Sequence, residues 1–439
     1  MKTHKQKPLA NKKPLANKKP SPIIDNLEYI TDPYKQPHFD VSQFFAPSQA
    51  IAQASIDYEY ALKFLYAYNG SSATFNAYRR EVERLLQWCW FVHGQSITTL
   101  KREDFEHYIE FCINPPIAWI GVKNVARFKN KLGERVCNPD WSPFVVSNKK
   151  QAINQHNSPT KHQLKTKPSP NDYQLSQTAL QSIFAILSSF FNYLVQEQVV
   201  AANPILLIRQ KSKYLVKHQQ AAPVRRISNL QWSYVIETVE ALAQINPKKY
   251  QRSLFVINCL LAMYLRISEL VADERSLPVM GDFKKDQDGN WWFYVVGKGN
   301  KSRVISVCDE MLEALTRYRT FLGLTPLPII GDNTPLVKKN LGKGPVTSTR
   351  QIRVLIQDCF DQTYARMVKH GLGNEAEELQ QATVHWLRHT GISEDIKTRP
   401  REHVRDDAGH STMQTTDRYI ESDARERHAS AKSKRIKDL

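Results

Sequence analysis

Apolar residues recur at helical spacing over most of the first half of the chain. The pattern predicts three helices between about 51 and 115 and a fourth, longer one over about 176–198. The stripe of the fourth helix consists of Leu180, Ile183, Phe184, Leu187, Phe191, Leu194 and Val195. Asn203-Pro204 ends this run of helices. We therefore expect a helical domain at 51–208.

The second half combines helices with one strand-like hairpin. Helical spacing predicts helices at about 229–244, 252–264, 309–322, 349–369 and 384–397. Two strand-like runs at about 291–296 and 303–307 flank a Gly-Lys-Gly-Asn turn. Pro400 is expected to start a short helix that Gly409 ends. The pattern predicts a mainly α domain with a small β-sheet (α+β) at 227–421.

Four segments lack this periodicity. Residues 1–50 begin with a repeated Lys-Pro-Leu-Ala-Asn-Lys unit, which predicts a basic, disordered tail that either grips DNA loosely or is an inert solvated tail. Residues 130–173 are rich in Asn, Pro, Ser and Lys, which predicts a loop insertion. The stretch 209–226 is strongly basic and predicts a linker between domains. Residues 422–439 form a charged C-terminal tail.

The charge of the chain points to a polyanionic partner. At 439 residues it carries a formal net charge of +18, which suits nucleic acid and would also suit an acidic membrane surface. No unbroken apolar run approaches the roughly 18 residues of a spanning helix, so none is expected. The six cysteines are scattered without a C-x-x-C pair, which favours buried thiols in a reducing cytosol.

Candidate chemistry concentrates in one stretch near the C-terminus. His385 and Arg388 are spaced to share one helix face, Gly409-His410 follows, and Tyr419 comes nine residues after that histidine. Guanidinium groups match the anionic oxygens of a phosphodiester, and cationic surroundings can activate a phenol whose usual pKa is about 10. These residue types together suit attack by a phenol on phosphorus.

Simpler interpretations exist for the same residues. Arg266 precedes Glu269 by three positions, so the two could form a structural ion pair, and that carboxylate could equally orient the arginine for catalysis. His385 and His389 are spaced like a zinc pair, but the glutamate of an H-E-x-x-H motif is absent, so no metal site is predicted.

The stretch resembles the catalytic domain of the tyrosine recombinases, the phage integrase family. That family has an H-x-x-R box, a G-H pair, a tyrosine nine residues later, an upstream R-x-x-E box and a hairpin lysine. The corresponding residues here are His385-x-x-Arg388, Gly409-His410, Tyr419, Arg266-x-x-Glu269 and Lys298. The resemblance implies a helical core-binding (SAM-like) domain and a catalytic domain that form a C-shaped clamp on DNA.

The resemblance also implies a reaction and a role for each residue. Tyr419 would attack a phosphodiester to form a 3′-phosphotyrosyl bond, without a metal, ATP or other cofactor. Arg266 and Arg388 would clamp the phosphate, with Glu269 as their orienting partner. Lys298 would protonate the leaving 5′ oxygen, and His410 would donate a hydrogen bond to a non-bridging oxygen. His385 would help to remove the proton from Tyr419 or orient the phosphate.

Further cations are expected on the DNA backbone. They are Arg79, Arg80 and Arg84 of a predicted helix, Lys301 and Arg303 of the hairpin, and Arg225 and Arg226 of the linker. For the three helix arginines, an ordinary solvated face is the alternative.

By resemblance, the partners would be duplex DNA with recombination sites, three further copies in a homotetramer, and accessory DNA-bending or directionality factors. The setting would be a bacterial or phage-encoded protein in the cytoplasm, on the nucleoid, serving a mobile element. The rival functions are type IB topoisomerase activity and DNA binding by a catalytically silent protein.

Overall fold

The computed structural model divides the chain into two compact units, Met1–Gln219 and Gln220–Leu439. The described residues are 19–30, 32–33, 53–68, 72–146, 169–206, 208, 214, 225–297, 300–417, 419 and 431–432. Nearly all of 1–18, 209–224 and 420–439 lies outside them, so most of the predicted tail and linker segments are not described. Each unit is presented by itself.

Unit 1 is helical, with a small β-containing segment. Its helices are α1 (Ala54–Tyr66), α2 (Ser72–Trp88), α3 (Arg102–Ile113) and α4 (Gln177–Gln196). Aromatic side chains fill the core between them, as in the pair Phe64 and Phe190, whose ring centroids lie 5.0 Å apart. The amphipathic stripes therefore pack inward as their spacing predicts.

Helix α4 is long and apolar enough to cross a membrane by length and composition alone. A core helix can meet the same criteria of length and composition, so the expectation of no spanning segment stays a prediction. Half of the apolar window is nevertheless buried in the unit, where the helix supplies nine buried side chains to the helical core.

The predicted loop insertion and tail are more ordered than expected where they are described. Within 120–146 the chain forms four short strands: β1 (Ile120–Gly121) pairs in parallel with β4 (Phe144–Val145), and β2 (Phe128–Lys131) pairs with β3 (Glu134–Cys137) in a hairpin. Ile23 and Ile24, from the predicted disordered tail, are buried in the same unit. These two side chains follow the lysine-rich repeat in the chain and are apolar, so burying them is favourable.

Unit 2 is mainly α with one antiparallel three-stranded sheet, which confirms the predicted fold class. Its sheet has the order β5 (Phe283–Lys285), β6 (Trp291–Val296) and β7 (Ser302–Ser306). The first strand was not predicted. Strands β6 and β7 pair with Val295 opposite Arg303, as expected for the predicted hairpin.

The helices of unit 2 close to their predicted positions are α5 (Asn229–Ile245), α6 (Pro247–Ala262), α7 (Asp309–Phe321), α8 (Thr349–Lys369), α10 (Val384–Asp395) and α11 (Arg401–Ala408). Two more were not predicted, α9 (Gly373–Gln381) and α12 (Met413–Asp417). Helix α10 approaches α6 closely at Gly391, where an added Cβ would lie 2.1 Å from the Leu261 carbonyl oxygen. This contact sets the depth of the helix that carries the H-x-x-R box.

Candidate active site

Five segments of unit 2 bring the candidate residues together. Arg266 lies immediately before a 3₁₀ turn (Ile267–Leu270), and Arg303 lies on β7. Arg388 and His389 lie on α10, while Gly409-His410 follows the end of α11. Tyr419 follows α12. Residues separated by more than 150 positions thus form one cluster.

A buried carboxylate organises two of the arginines. Glu269 accepts hydrogen bonds from Nη1 and Nη2 of Arg303, both at 2.8 Å, and from Nη1 of Arg266 at 3.0 Å. Its other contact is the backbone N–H of Arg266 at 2.8 Å. Burial opposes ionisation, but the hydrogen bonds and charge of Arg303 and Arg266 hold the pKa of Glu269 below its usual value. Glu269 is therefore a carboxylate that fixes both guanidinium groups.

Arg388 is buried, and its guanidinium is held by backbone carbonyls. It donates to the carbonyl oxygen of Tyr264 and to that of Ala408, the latter at 2.6 Å. Burial, followed by the charges of Arg266 and Arg303, lowers the pKa of Arg388 to about 10. The group stays charged at neutral pH. Three guanidinium groups beside the single carboxylate Glu269 leave an excess of positive charge, which favours an anion.

The C-terminus of α11 supplies the backbone of this cluster. Gly409 adopts a left-handed conformation with φ of 64°, so the helix ends where its position predicts. Its carbonyl oxygen accepts a hydrogen bond from Nη2 of Arg266 at 3.0 Å, and the Asp407 carbonyl accepts one from Nε of Arg303 at 2.9 Å. An added Cβ at Gly409 would lie 2.6 Å from Cδ of Arg303. Both the φ angle and this contact would strain any other residue at this position.

Tyr419 lies between two histidines. Its Oη is 2.8 Å from Nδ1 of His389, and its ring stacks on that of His410 with centroids 5.7 Å apart and planes 13° apart. Burial, then the charges of neighbouring residues, lowers the pKa of each histidine to about 4. Both imidazoles are therefore neutral at pH 7. Nε2 of His410 lies 3.3 Å from Nη2 of Arg388, and its Nδ1 lies 2.9 Å from Oγ1 of Thr416.

A second polar network holds α11 against β7 and α10. The buried Asp407 carboxylate accepts hydrogen bonds from Nη2 of Arg399 at 2.6 Å and from Oγ of Ser306 at 2.5 Å. Nη1 of Arg399 also donates to Oη of Tyr264 at 3.0 Å, and that hydroxyl donates to Asp395. Because the backbone oxygen of Tyr264 also binds Arg388, this network fixes the frame around the arginines.

Most of the residues predicted for catalysis meet in this cluster. Arg266, Glu269, Arg388, His410 and Tyr419 are all within it. His385 is exposed on the first turn of α10, where partial burial and the charges of Arg353 and Arg388 lower its pKa. Lys298 lies outside the described residues.

The residues predicted to bind the DNA backbone separate into two groups. Lys301 and Arg225 are exposed, and Arg226 lies 3.8 Å from a carboxylate oxygen of Glu394. Arg303, in contrast, is largely buried in the cluster and binds Glu269. Its guanidinium is engaged by Glu269 and by the Asp407 carbonyl oxygen, and its predicted contact with the DNA backbone stays a prediction.

The three helix arginines of unit 1 lie in different surroundings, one exposed and two buried. Only Arg80 is exposed, with a side chain 53% accessible and paired with Glu81. Arg79 is buried and donates to the carbonyl oxygen of Asp25 at 2.6 Å. Arg84 is buried between Glu81 and the Pro143 carbonyl, with its guanidinium over the Phe144 ring. Its guanidinium is therefore structural, and contact of Arg84 with phosphate is not supported.

His389, Asp407 and Arg399 were not predicted as parts of the site, and Arg303 was predicted as a contact to the DNA backbone, not as a partner of Glu269. The sequence did indicate His389 as a candidate, because it adjoins Arg388 and lies one helical turn after His385. The sequence contained no comparable signal for Asp407 or Arg399. Within the described part of the chain, no cluster of three or more His, Cys, Asp or Glu is arranged to hold a metal ion.

Comparison with known proteins gives the following relatives. No family model matches the chain. Tyrosine recombinase XerD of Rickettsia conorii is 26% identical over 150 residues, covering 34% of this chain and 46% of the relative. Tyrosine recombinase XerC of Chlorobaculum parvum is 23% identical over 252 residues, covering 54% of this chain and 66% of the relative. The matches thus span about half to two thirds of these relatives' length.

Among solved structures, the XerH site-specific recombinase in its post-cleavage complex with difH has a similar fold. The TM-score is 0.52 at 14% identity, over 94% of this chain and 99% of XerH. At that identity the likeness concerns the fold alone. The sequence matches support the resemblance seen in the motifs, and the fold is similar to that of a solved recombinase, so this chain is similar to the tyrosine recombinases.

Proposed function

We propose that this chain is a site-specific DNA recombinase that cuts and rejoins strands through a 3′-phosphotyrosyl intermediate. The observation that carries the proposal is the position of the Tyr419 hydroxyl. It lies 2.8 Å from a neutral imidazole nitrogen, and the histidine that stacks on its ring lies beside the buried Arg388. A phenol beside a base and a cationic anion site is the arrangement that attack on a phosphodiester requires.

In the proposed reaction the scissile phosphate occupies the space beside the arginine cluster. Arg266 and Arg388 neutralise its non-bridging oxygens, where negative charge grows in the transition state. The Tyr419 oxygen forms a bond to phosphorus, and the bond to the 5′ oxygen breaks. Lys298 is proposed to protonate that oxygen. Because the phosphotyrosyl bond retains the energy of the diester, a 5′ hydroxyl from another duplex can reverse the attack without ATP.

The partners and setting are part of the same proposal. The net charge of +18 and the exposed cations Arg80, Arg225 and Lys301 support contact with duplex DNA over many phosphates. Exchange of strands between two duplexes requires four cleavages, which a homotetramer with one tyrosine per strand would supply. We propose that it integrates or excises a mobile element, aided by accessory factors, in the bacterial cytoplasm on the nucleoid.

A covalent trap tests the proposal directly. The purified full chain is incubated with sheared, nicked genomic DNA of the organism that encodes it, and SDS-resistant protein–DNA adducts are isolated and sequenced. We expect an adduct from the wild type and from Tyr364→Phe, a matched control outside the cluster, and none from Tyr419→Phe. Absence of the adduct from wild type, or its persistence in Tyr419→Phe, would refute the chemistry.

The rival activity, topoisomerase-like relaxation, is separated by product analysis. Plasmids with one or two copies of the recovered site are incubated with the protein. Recombinant circles from the paired-site plasmid are expected. Relaxation of both plasmids without recombinant product would instead assign type IB topoisomerase activity. Binding without any adduct would assign a catalytically silent DNA-binding protein.

A further inference from the structure

We propose that His389, rather than His385, is the general base that takes the proton from Tyr419, and that it becomes effective when a DNA phosphate fills the arginine cluster. This inference rests on the proposed function. In the cleavage step the proton moves from Oη of Tyr419 to Nδ1 of His389 as the oxygen–phosphorus bond forms. The bond from phosphorus to the 5′ oxygen breaks, and that oxygen takes its proton from a separate donor, proposed to be Lys298.

The geometry distinguishes His389 from the other two histidines. His389 is half-buried, and its Nδ1 lies 2.8 Å from the hydroxyl that would react. His385 lies one helical turn earlier and is exposed. The two ring nitrogens of His410 face Arg388 and Thr416, so His410 touches Tyr419 through its ring face. Of these three, His389 is therefore the one placed to accept the phenol proton.

Protonation state supports the same assignment. Burial, then His385 and Arg388, lowers the pKa of His389 to about 4, so its imidazole is neutral at pH 7. With the proton on Nε2, Nδ1 is the hydrogen-bond acceptor. Such a weak base could not alone deprotonate a phenol with a usual pKa of about 10.

A bound phosphate would correct this mismatch. Its negative charge would lie beside Arg388 and Arg266 and would offset the positive field that disfavours imidazolium. The pKa of His389 would then rise toward the working pH, where a general base is most effective. The groups that face His389 are His385 and Arg388 on its own helix, and His410 and Tyr419 from the C-terminal segment. Before DNA binds, His389 would be too weak a base to accept the phenol proton.

The test uses single-turnover cleavage of a nicked suicide substrate built on the recovered site, with saturating full-length protein. His389→Asn places an amide near the Nδ1 position, so it can keep a hydrogen bond to Tyr419 but cannot accept the proton. We expect cleavage about 100-fold slower or more, within the usual contribution of a general base. DNA binding should be unchanged. His403→Asn, an exposed histidine on α11, is the matched control and should cleave at the wild-type rate.

The pH profile separates a base from a packing residue. The wild-type rate should level off above the pKa of His389 in the DNA complex. The rate of His389→Asn should keep rising about tenfold per pH unit up to pH 9, since solvent must then ionise the phenol. A 5′-bridging sulfur, whose thiolate needs no protonation, should rescue Lys298→Ala but leave His389→Asn slow.

Each other outcome overturns one specific claim. A wild-type rate and an unshifted pH profile for His389→Asn would remove the base assignment, while the covalent adduct and the proposed function would stand. Rescue of His389→Asn by the sulfur substrate would move His389 to the leaving-group side. If instead the cleavage rate of His385→Asn kept rising with pH while that of His389→Asn followed the wild type, His385 would be the general base. Failure of wild type to form an adduct would instead refute the proposed function.

Discussion

Glu269→Gln is the most informative single substitution in unit 2. The side chain of Glu269 is only 2% exposed, and it joins two guanidinium groups through three side-chain hydrogen bonds. Glutamine has nearly the same shape but no charge, and its amide group turns a donor toward arginine donors. The substitution therefore removes the charge while keeping the volume.

The size of the effect follows from the burial. Removing one partner of a buried ion pair typically lowers the free energy of unfolding by about 3–5 kcal/mol. Because glutamine keeps one acceptor oxygen, we expect a loss near 3 kcal/mol. For a unit of about 220 residues this corresponds to a fall in Tm of roughly 6–12 °C. Arg266 would also lose its orienting partner, so cleavage should fall as well.

Thermal unfolding of the full chain, monitored by circular dichroism, measures the fall in Tm of the unfolding transition of unit 2. Glu313→Gln, at an exposed position on α7, is the matched control and should melt with the wild type. A Tm for Glu269→Gln within about 1 °C of wild type would refute the reasoning. It would mean that the carboxylate contributes no net stability to the arginine cluster.

The pH dependence provides an independent check. The pKa of Glu269 in the folded protein is below its ordinary value of 4.5. The unfolded chain therefore binds the proton first as pH falls, so this contribution is present above about pH 4.5 and is lost as pH falls through the folded pKa. The wild type should show this extra acid sensitivity, and Glu269→Gln should lack it.

Three further predictions concern backbone, charge and burial. Gly409→Ala should abolish cleavage and lower the Tm, because its Cβ would collide with the arginine packed on it; Gly371→Ala, which has a positive φ but open space around it, should only lower the Tm slightly. Arg388→Lys should slow adduct formation by about 100-fold or more, since lysine lacks the paired N–H donors of a guanidinium group. DNA affinity in gel-shift assays should change little. Arg84→Met should destabilise unit 1 by about 3 kcal/mol in denaturant titrations, whereas Arg80→Met should leave stability unchanged and reduce the salt dependence of DNA binding.

The local features of this protein could be read from the sequence. Helical periodicity predicted most helices of both units because one apolar face per helix is enough to drive its burial. Gly409 marked a helix end because a left-handed residue is needed there. The order of the motifs identified Arg266, Glu269, Arg388, His410 and Tyr419 as candidates, and all five meet in the structure. These features depend on residue type and spacing, which a sequence contains.

Other features were decided only by how the segments pack. His385 and His389 are one turn apart on the same helix, and the path of the chain after α11 determines which of them faces Tyr419. Arg303 was expected to contact the DNA backbone, yet in the structure it lies on β7 with its guanidinium bound to Glu269. Arg84 is in the core because the β-containing segment covers it. Spacing along a chain does not specify which elements come to lie beside a side chain, so tertiary packing decides whether a cation faces solvent, a carboxylate or a reacting atom.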